Sequence, residues 1–108
     1  IGGKRDYGPG WDDDIKKKIR ERDNHLCQMC YIPSNRKEHD VHHIVPSRIL
    51  TNEWWKHSEQ NLITLCRKHH RYAEGDYSKS IPFLRGILSK EFGYIYNKIP
   101  YRKYLNLI

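Results

Sequence analysis

The sequence predicts a small α+β domain that is stabilised by a bound zinc ion. Its 108 residues make one domain, and with 37% apolar and 31% charged residues the hydrophobic core is thin. Three cysteines cannot form a closed set of disulfides, and they occur together with seven histidines. These counts favour metal ligation in a reducing compartment, so we expect an intracellular protein, either cytoplasmic or nucleoid-associated. A bound metal would supply stability that the thin core lacks.

The first predicted helix runs from about residue 12 to residue 23. Aspartates crowd its start and lysines and arginines follow, an order that complements the helix dipole. Trp11, Ile15 and Ile19 recur every four residues and form one narrow apolar stripe. Residues 1–10, which contain four glycines, are predicted to be a flexible N-terminal arm.

Two short strands are predicted in the middle of the chain. Residues 39–45 are rich in β-branched side chains and are stopped by Pro46, and residues 62–65 form the second strand. Residues 47–60 between them have no clear hydrophobic period and are predicted to be a long irregular connection. The chain contains no apolar run long enough for a membrane span.

Two further helices are predicted towards the C-terminus. The first begins at residue 67 and ends near Gly75, and the second spans residues 82–92 with Pro82 at an N-terminal position. Residues 77–108 are predicted to be a basic, tyrosine-rich extension that packs on the same domain.

Positive charge is concentrated in the last two-fifths of the chain. Of a net charge of +7, residues 67–108 contribute nine basic against three acidic side chains, and they contain six of the eight tyrosines. This excess indicates a polyanionic partner, for which phosphate contacts and occasional stacking are suitable. The same tyrosines could instead pack a small C-terminal core, and the sequence leaves both interpretations open.

Two short motifs form the halves of a predicted tetrahedral zinc site. They are Cys27-x2-Cys30 and Cys66-x2-His69, and they account for every cysteine of the chain. His39 and His25 remain alternatives to His69 as the fourth ligand. Four protein ligands leave no open position for catalysis, so the site is structural. It could contribute on the order of 10 kcal/mol to folding.

A second group of histidines suggests a second metal site. His42 and His43 end the first predicted strand, and His70 directly follows the zinc ligand His69. Neighbouring helical residues point about 100° apart, so His69 can face zinc while His70 faces the strand. A second ion could then be held between His42 and His70.

With these motifs the chain resembles the HNH endonuclease family, which has the ββα-metal fold. The resemblance extends from about Trp11 to Glu74 and predicts an HNH nuclease core over residues 11–76 with flanking N- and C-terminal helices. The matching blocks are Cys27-x2-Cys30, then Val41-His42-His43-Ile44-Val45-Pro46, and then Asn61-Leu62-Ile63-Thr64-Leu65-Cys66-Arg67-Lys68-His69-His70, with Arg22-Asp23 ahead of them.

The resemblance implies a metal-dependent endonuclease that hydrolyses DNA to a 5′-phosphate and a 3′-hydroxyl. By it, His43 is the general base, and Asn61 fixes the loop that orients His43. His42 and His70 hold one divalent ion (Mg²⁺, Mn²⁺, Ni²⁺ or Zn²⁺), and Glu74 is a candidate third ligand. An unperturbed histidine pKa near 6.5 leads us to expect a rate that falls below about pH 6.5.

The sequence departs from the usual family pattern in three places. Histidine stands at position 42 where many members have Asp, His69 stands where many have Cys, and Tyr31 replaces a common glycine, so that we expect a different turn there. In a regular strand, moreover, His42 and His43 point to opposite faces. Both can serve one site only if the phosphate lies between them or the strand breaks near Pro46.

Four basic residues flank the predicted site and are candidates for contact with nucleic acid. They are Arg48, Arg67, Lys68 and Arg71. A non-catalytic zinc-containing module that binds nucleic acid is the alternative function. That alternative explains the cysteines and the charge, but it does not explain the histidines and Asn61 together.

Overall fold

The computed structural model describes residues 10–50 and 53–108, and it has the predicted α+β class. Nearly all of the predicted N-terminal arm, residues 1–9, lies outside the described residues. The regular elements are helix α1 (Asp13–Arg22), strand β1 (Asp40–His43), strand β2 (Leu62–Leu65), helix α2 (Arg67–Gly75) and helix α3 (Tyr77–Phe92). Short 3₁₀ turns occupy Ser47–Ile49, Glu59–Asn61 and Arg102–Leu107. No helix in the described ranges is long and apolar enough to cross a membrane.

The two strands form an antiparallel sheet that leads directly into α2. His42 is opposite Ile63 and His43 is opposite Leu62. The first strand is shorter than the predicted span 39–45 and ends at His43. Beyond it the backbone bends, and Ile44 N donates to Asn61 O at 2.8 Å. The ββα unit therefore places the end of β1 beside the start of β2.

Helix α1 packs on the sheet through the predicted apolar stripe. Asp12 caps its N-terminus by accepting a hydrogen bond from Ile15 N at 2.9 Å. Ile19 is buried against Val41 and Leu62, with Ile15 at the edge of this cluster. The stripe therefore covers one face of the sheet.

The Arg22-Asp23 pair joins the end of α1 to β2. Asp23 is 2% exposed, and its carboxylate accepts hydrogen bonds from Thr64 N at 2.9 Å and from Arg22 Nε at 2.9 Å. Arg22 Nη2 also donates to Leu62 O at 2.7 Å. The buried charge is thus paired, which a carboxylate in this position requires.

Helix α3 begins earlier than the sequence predicts. It starts at Tyr77 rather than Pro82, so Pro82 lies inside the helix and the predicted N-terminal position is wrong. Because proline has no N–H, one helical hydrogen bond is lost there. Burial compensates, since Leu84 and Leu88 join the main hydrophobic cluster together with Ile44.

The C-terminal tyrosines surround a buried arginine on α3. Arg85 is 7% exposed, and its guanidinium lies 4.6 Å from the Tyr96 ring, 4.9 Å from the Tyr101 ring and 5.7 Å from the Trp55 ring. Burial lowers the pKa of Arg85, while the neighbouring tyrosines act in the opposite direction. Of the two interpretations of the tyrosines, core packing is therefore right for Tyr96 and Tyr101.

Candidate active site

The three cysteines and His69 form one compact cluster. Their ligand atoms all lie within 4.8 Å of one another. Cys66 Sγ is 3.3 Å from His69 Nδ1, Cys27 Sγ is 3.7 Å from the same nitrogen, and Cys30 Sγ is 3.9 Å from Cys66 Sγ. Sulfur ligands about 2.3 Å from a tetrahedral zinc stand roughly 3.8 Å apart, so the cluster fits zinc.

His69 completes this cluster, and the two alternative histidines lie elsewhere. Within residues 10–50 and 53–108, neither His25 nor His39 belongs to the four-residue group. His39 instead directs Nε2 to the carbonyl of Ile32 at 2.7 Å. The structure therefore brings together the two predicted halves, Cys27-x2-Cys30 and Cys66-x2-His69.

The turn after the first two cysteines has the conformation that glycine favours. Tyr31 has φ 60°, in the left-handed region, and its N–H donates to Cys27 O at 2.7 Å. Cys27 N donates to Ile32 O at 3.1 Å and closes the turn. Tyr31 therefore adopts this backbone conformation at a cost of about 1–2 kcal/mol.

The fold lowers the pKa of one thiol and raises that of its neighbour. Burial acts to raise the pKa of Cys27, but hydrogen bonds from the backbone of Cys66, Cys30 and Met29 outweigh it and the net shift is downward. Burial raises the pKa of Cys30, and the nearby Cys27 adds to that increase. The lowered pKa means that Cys27 loses its proton more readily than Cys30 does, and the thiolate is the form that binds zinc.

A second cluster lies between β1 and α2. One ligand atom each from His42, His70 and Glu74 lies within 4.8 Å of the others. His70 Nε2 is 3.6 Å from Glu74 Oε2, and the His42 and His70 rings have centroids 5.0 Å apart. Two imidazoles and a carboxylate suit a divalent transition ion, and three protein ligands leave coordination positions open.

Asp40 orients His70 within this second cluster. Its Oδ2 accepts a hydrogen bond from His70 Nδ1 at 3.0 Å, which leaves Nε2 directed towards Glu74. Arg67 Nε donates to the same oxygen at 3.1 Å. The hydrogen bond from His70, aided by the charge of Arg67, lowers the pKa of Asp40 despite its partial burial. Such a carboxylate behind a metal-binding histidine fixes its tautomer.

His43 contacts a different set of side chains from those around His42. Its ring lies 4.5 Å from the Trp11 ring, and its Nε2 is 2.9 Å from His57 Nδ1. His42 instead stacks with Tyr77, with ring centroids 6.0 Å apart. The strand ends at His43, and the two imidazoles contact different neighbours, so of the two expected arrangements the one with the phosphate between them remains open.

Burial changes the acid–base behaviour of His43. Its exposed fraction is 5%, and burial, together with the positive charges of His57, Lys56 and His70, lowers its pKa to about 3. The expectation of an unperturbed pKa near 6.5 is therefore wrong. His43 remains neutral, and able to accept a proton, well below pH 6.5.

Asn61 holds the loop that follows β1. Its Oδ1 accepts from Val45 N at 2.9 Å, and its Nδ2 donates to Val45 O at 3.0 Å and to Lys56 O at 3.1 Å. The side chain is 1% exposed. One amide therefore fixes backbone on two separate segments, one of which begins just after His43.

Comparison with known proteins identifies the segment that contains both clusters. Residues 27–74, a little under half of the chain, match the family model described as HNH endonuclease. This segment is similar to the HNH endonuclease family. No curated protein and no solved structure matches the chain significantly.

The matched segment contains both ligand clusters, His43 and Asn61, together with exposed cations around them. Arg48 lines a surface cavity of about 390 Å³ together with Glu74 and Tyr77. Arg67 is 54% exposed beside Asp40. Lys68 and Arg71 are exposed on α2. Of the four predicted contact residues, Arg48 and Arg67 therefore lie beside the second cluster.

Sequence reasoning missed three residues of this site. Asp40 could have been found, because it lies two positions before His42 and so on the same face of the strand. Trp11 was assigned to the stripe of α1, although it also covers His43 and His57. His57 comes from the irregular connection between the strands, where no periodic signal was available.

Proposed function

We propose that the protein is a metal-dependent HNH endonuclease that hydrolyses DNA phosphodiester bonds and leaves a 5′-phosphate and a 3′-hydroxyl. The observation that carries the proposal is the second cluster. His42, His70 and Glu74 come together apart from the cysteine cluster, and His42 directly precedes His43 in β1. A domain that only binds nucleic acid has no need for this additional set of ligands.

In the proposed site His42, His70 and Glu74 hold one divalent ion, either Mg²⁺, Mn²⁺, Ni²⁺ or Zn²⁺. Two nitrogen ligands favour the softer transition ions over Mg²⁺. When bound, the ion neutralises charge that develops on the phosphate and on the leaving oxygen. Asp40 keeps His70 in the tautomer that presents Nε2, through the hydrogen bond at Nδ1.

His43 is the proposed general base. It takes a proton from a water molecule, the water oxygen forms a bond to phosphorus, and the bond from phosphorus to the 3′ oxygen breaks. A solvent proton then completes the 3′-hydroxyl. The low pKa of His43, about 3, keeps the ring unprotonated before the reaction and also makes it a weaker proton acceptor than an ordinary histidine.

Asn61 is proposed to act on the reaction through the backbone. Its hydrogen bonds to both backbone groups of Val45 fix the chain two residues after His43. A base displaced by as little as about 1 Å loses much of its effectiveness, so this loop determines whether His43 reaches the water.

DNA is the proposed partner, and exposed cations are its proposed contacts. The contacts are Arg48, Arg67, Lys68 and Arg71. Because attraction to phosphate depends on release of counterions, affinity should fall steeply as salt is raised. We further propose that residues 11–76 form the nuclease core with residues 77–108 packed on it as a basic extension. The three thiols bind zinc only when reduced, which suits an intracellular reducing compartment.

Nicking of plasmid DNA tests the proposal. The purified protein is supplied with each of the four divalent ions in turn, and nicking is expected with at least one of them. His43→Ala should abolish nicking while zinc content and DNA binding are unchanged. If the unsubstituted protein binds DNA but never cuts it with any ion, the alternative of a non-catalytic zinc-containing nucleic-acid-binding module is right.

A further inference from the structure

The long segment between the strands brings a second imidazole to His43. His57 Nδ1 lies 2.9 Å from His43 Nε2, a hydrogen-bond distance. Of two neutral imidazole nitrogens in such contact, one carries the hydrogen and the other accepts it. The direction of this bond therefore fixes which nitrogen of His43 carries the hydrogen.

The position of His57 is set by packing on its other sides. The Trp11 ring lies across both imidazoles, 4.5 Å from the His43 ring and 5.2 Å from the His57 ring. The Gly10 backbone also passes close to His57, since a Cβ on Gly10 would lie 3.5 Å from His57 Cδ2. The two imidazoles are therefore held as a packed pair.

Asn61 fixes the two backbone segments that carry these histidines. Its Nδ2 donates to Val45 O at 3.0 Å, two residues after His43, and to Lys56 O at 3.1 Å, one residue before His57. The same buried amide thus sets the spacing between the two rings. The contact between His43 and His57 is therefore held by several independent interactions, namely the hydrogen bonds of Asn61 and the packing of Trp11 and Gly10.

We infer that His57 is a positioning residue for His43, accepting the hydrogen of His43 Nε2 and holding the base in the tautomer whose Nδ1 is unprotonated. This inference rests on the proposed function. It assigns His43 Nδ1 as the atom that takes the proton from water, and it assigns no direct contact with DNA to His57.

The direction of the hydrogen bond follows from what a base must do. If His43 Nε2 donates, the bond persists after Nδ1 gains a proton, and it becomes stronger because its donor is then charged. If His57 donated instead, protonation of His43 would consume the acceptor and break the bond. Only the first arrangement stabilises His43 both before and after proton transfer.

Imidazole ¹⁵N chemical shifts in the zinc-loaded protein test the tautomer directly. The expected spectrum shows His43 protonated on Nε2 and unprotonated on Nδ1, and His57→Leu should abolish this preference. A His43 ring protonated on Nδ1 in the unsubstituted protein overturns the inference. This measurement needs no DNA cleavage, so it remains decisive even if the proposed nuclease activity is absent.

Kinetics with a matched pair of substitutions test the role in cleavage. His57→Leu removes the acceptor while keeping an apolar body, and His57→Asn keeps an acceptor at the reach of Nδ1. We expect His57→Leu to lower kcat by roughly 10–100-fold with KM changed less than about threefold, and His57→Asn to recover most of kcat. Zinc content establishes that both variants fold. Unchanged kcat in His57→Leu, or an equal loss in both variants, overturns the inference.

Discussion

The two metal-ligand clusters share helix α2 but differ in what they can do. The cysteine cluster uses His69 with three thiols, whereas the second cluster uses His70 with His42 and Glu74. Four ligands of the first type close the coordination shell of zinc, and three ligands of the second type leave it open. Adjacent helical residues point about 100° apart, which is enough to divide structural and chemical roles between neighbours.

This difference explains why a chain with a thin core can support a reactive site. The cysteine cluster joins the turn at Cys27 to the start of α2, and so it fixes the helix that presents His70. The second cluster adds Asp40 behind His70, which orients one ligand without adding a fourth. The account therefore predicts that damage to the first cluster unfolds the protein, whereas damage to the second leaves the fold and removes activity.

The largest expected effect is loss of the fold when zinc is removed. Cys66→Ser, or a strong chelator, should remove on the order of 10 kcal/mol of folding free energy, which is comparable to the whole stability of a small domain. Circular dichroism and zinc content measure the result. A metal-free protein that keeps its helical signal and melts cooperatively would show that the two clusters do not differ as described.

Substitution in the second cluster should have the opposite outcome. His42→Ala should lower the rate of nicking by about 100-fold or more while zinc content and the far-ultraviolet spectrum are retained. His42→Asp is the matched variant, because it keeps a ligand and should shift the metal preference towards Mg²⁺. Loss of zinc in His42→Ala would mean that the clusters are one unit rather than two.

A smaller effect should follow when the partner of His70 is changed. Asp40→Asn replaces the carboxylate that accepts from His70 Nδ1, and should weaken Mn²⁺ binding to the zinc-loaded protein by roughly 10–100-fold. Calorimetric titration measures the change. Glu38→Gln is the control, since Glu38 is 63% exposed and pairs with Arg20. Equal affinities in the two variants would remove Asp40 from this role.

The smallest expected effect concerns the pH dependence of stability. The pKa of His43 is about 3 in the folded protein and about 6.5 in an unfolded chain. Between these values the unfolded state binds the proton and the folded state does not, so stability falls as pH is lowered. The loss from this group is about 1.4 kcal/mol per pH unit.

Urea unfolding of the zinc-loaded protein from pH 7 to pH 5 measures this dependence. His43→Gln should flatten the slope by the amount assigned to His43, with zinc content checked at each pH. An NMR titration that gave His43 a midpoint near 6.5 would contradict the account.

Much of the fold and of the site was predictable because the residues that matter form short, spaced motifs. The motifs Cys27-x2-Cys30 and Cys66-x2-His69 predicted the cluster of four side chains that could hold zinc, since the spacing of ligands within each motif is fixed by the geometry of one turn. Because His69 and His70 are neighbours on one helix, their side chains were predicted to point in different directions, one towards the cysteines and the other towards the first strand. The second strand, Leu62–Leu65, follows from a short run of apolar and β-branched residues, and it is buried at every position.

The remaining features depend on tertiary contacts that no local pattern encodes. Pro82 suggested a helix start, but burial of the residues around it extends α3 back to Tyr77. The pKa of His43 depends on burial beneath Trp11 and on charges from the loop that carries His57. That loop has no periodic sequence, so its contribution to the site became visible only in three dimensions.

A crystal structure of the protein loaded with zinc and Mn²⁺, with anomalous scattering recorded for each metal, would show whether the two clusters bind separate ions. We expect zinc on the three cysteines and His69, and a separate manganese ion on His42, His70 and Glu74. A single ion in the molecule, with the His42 and His70 rings far apart, would contradict it.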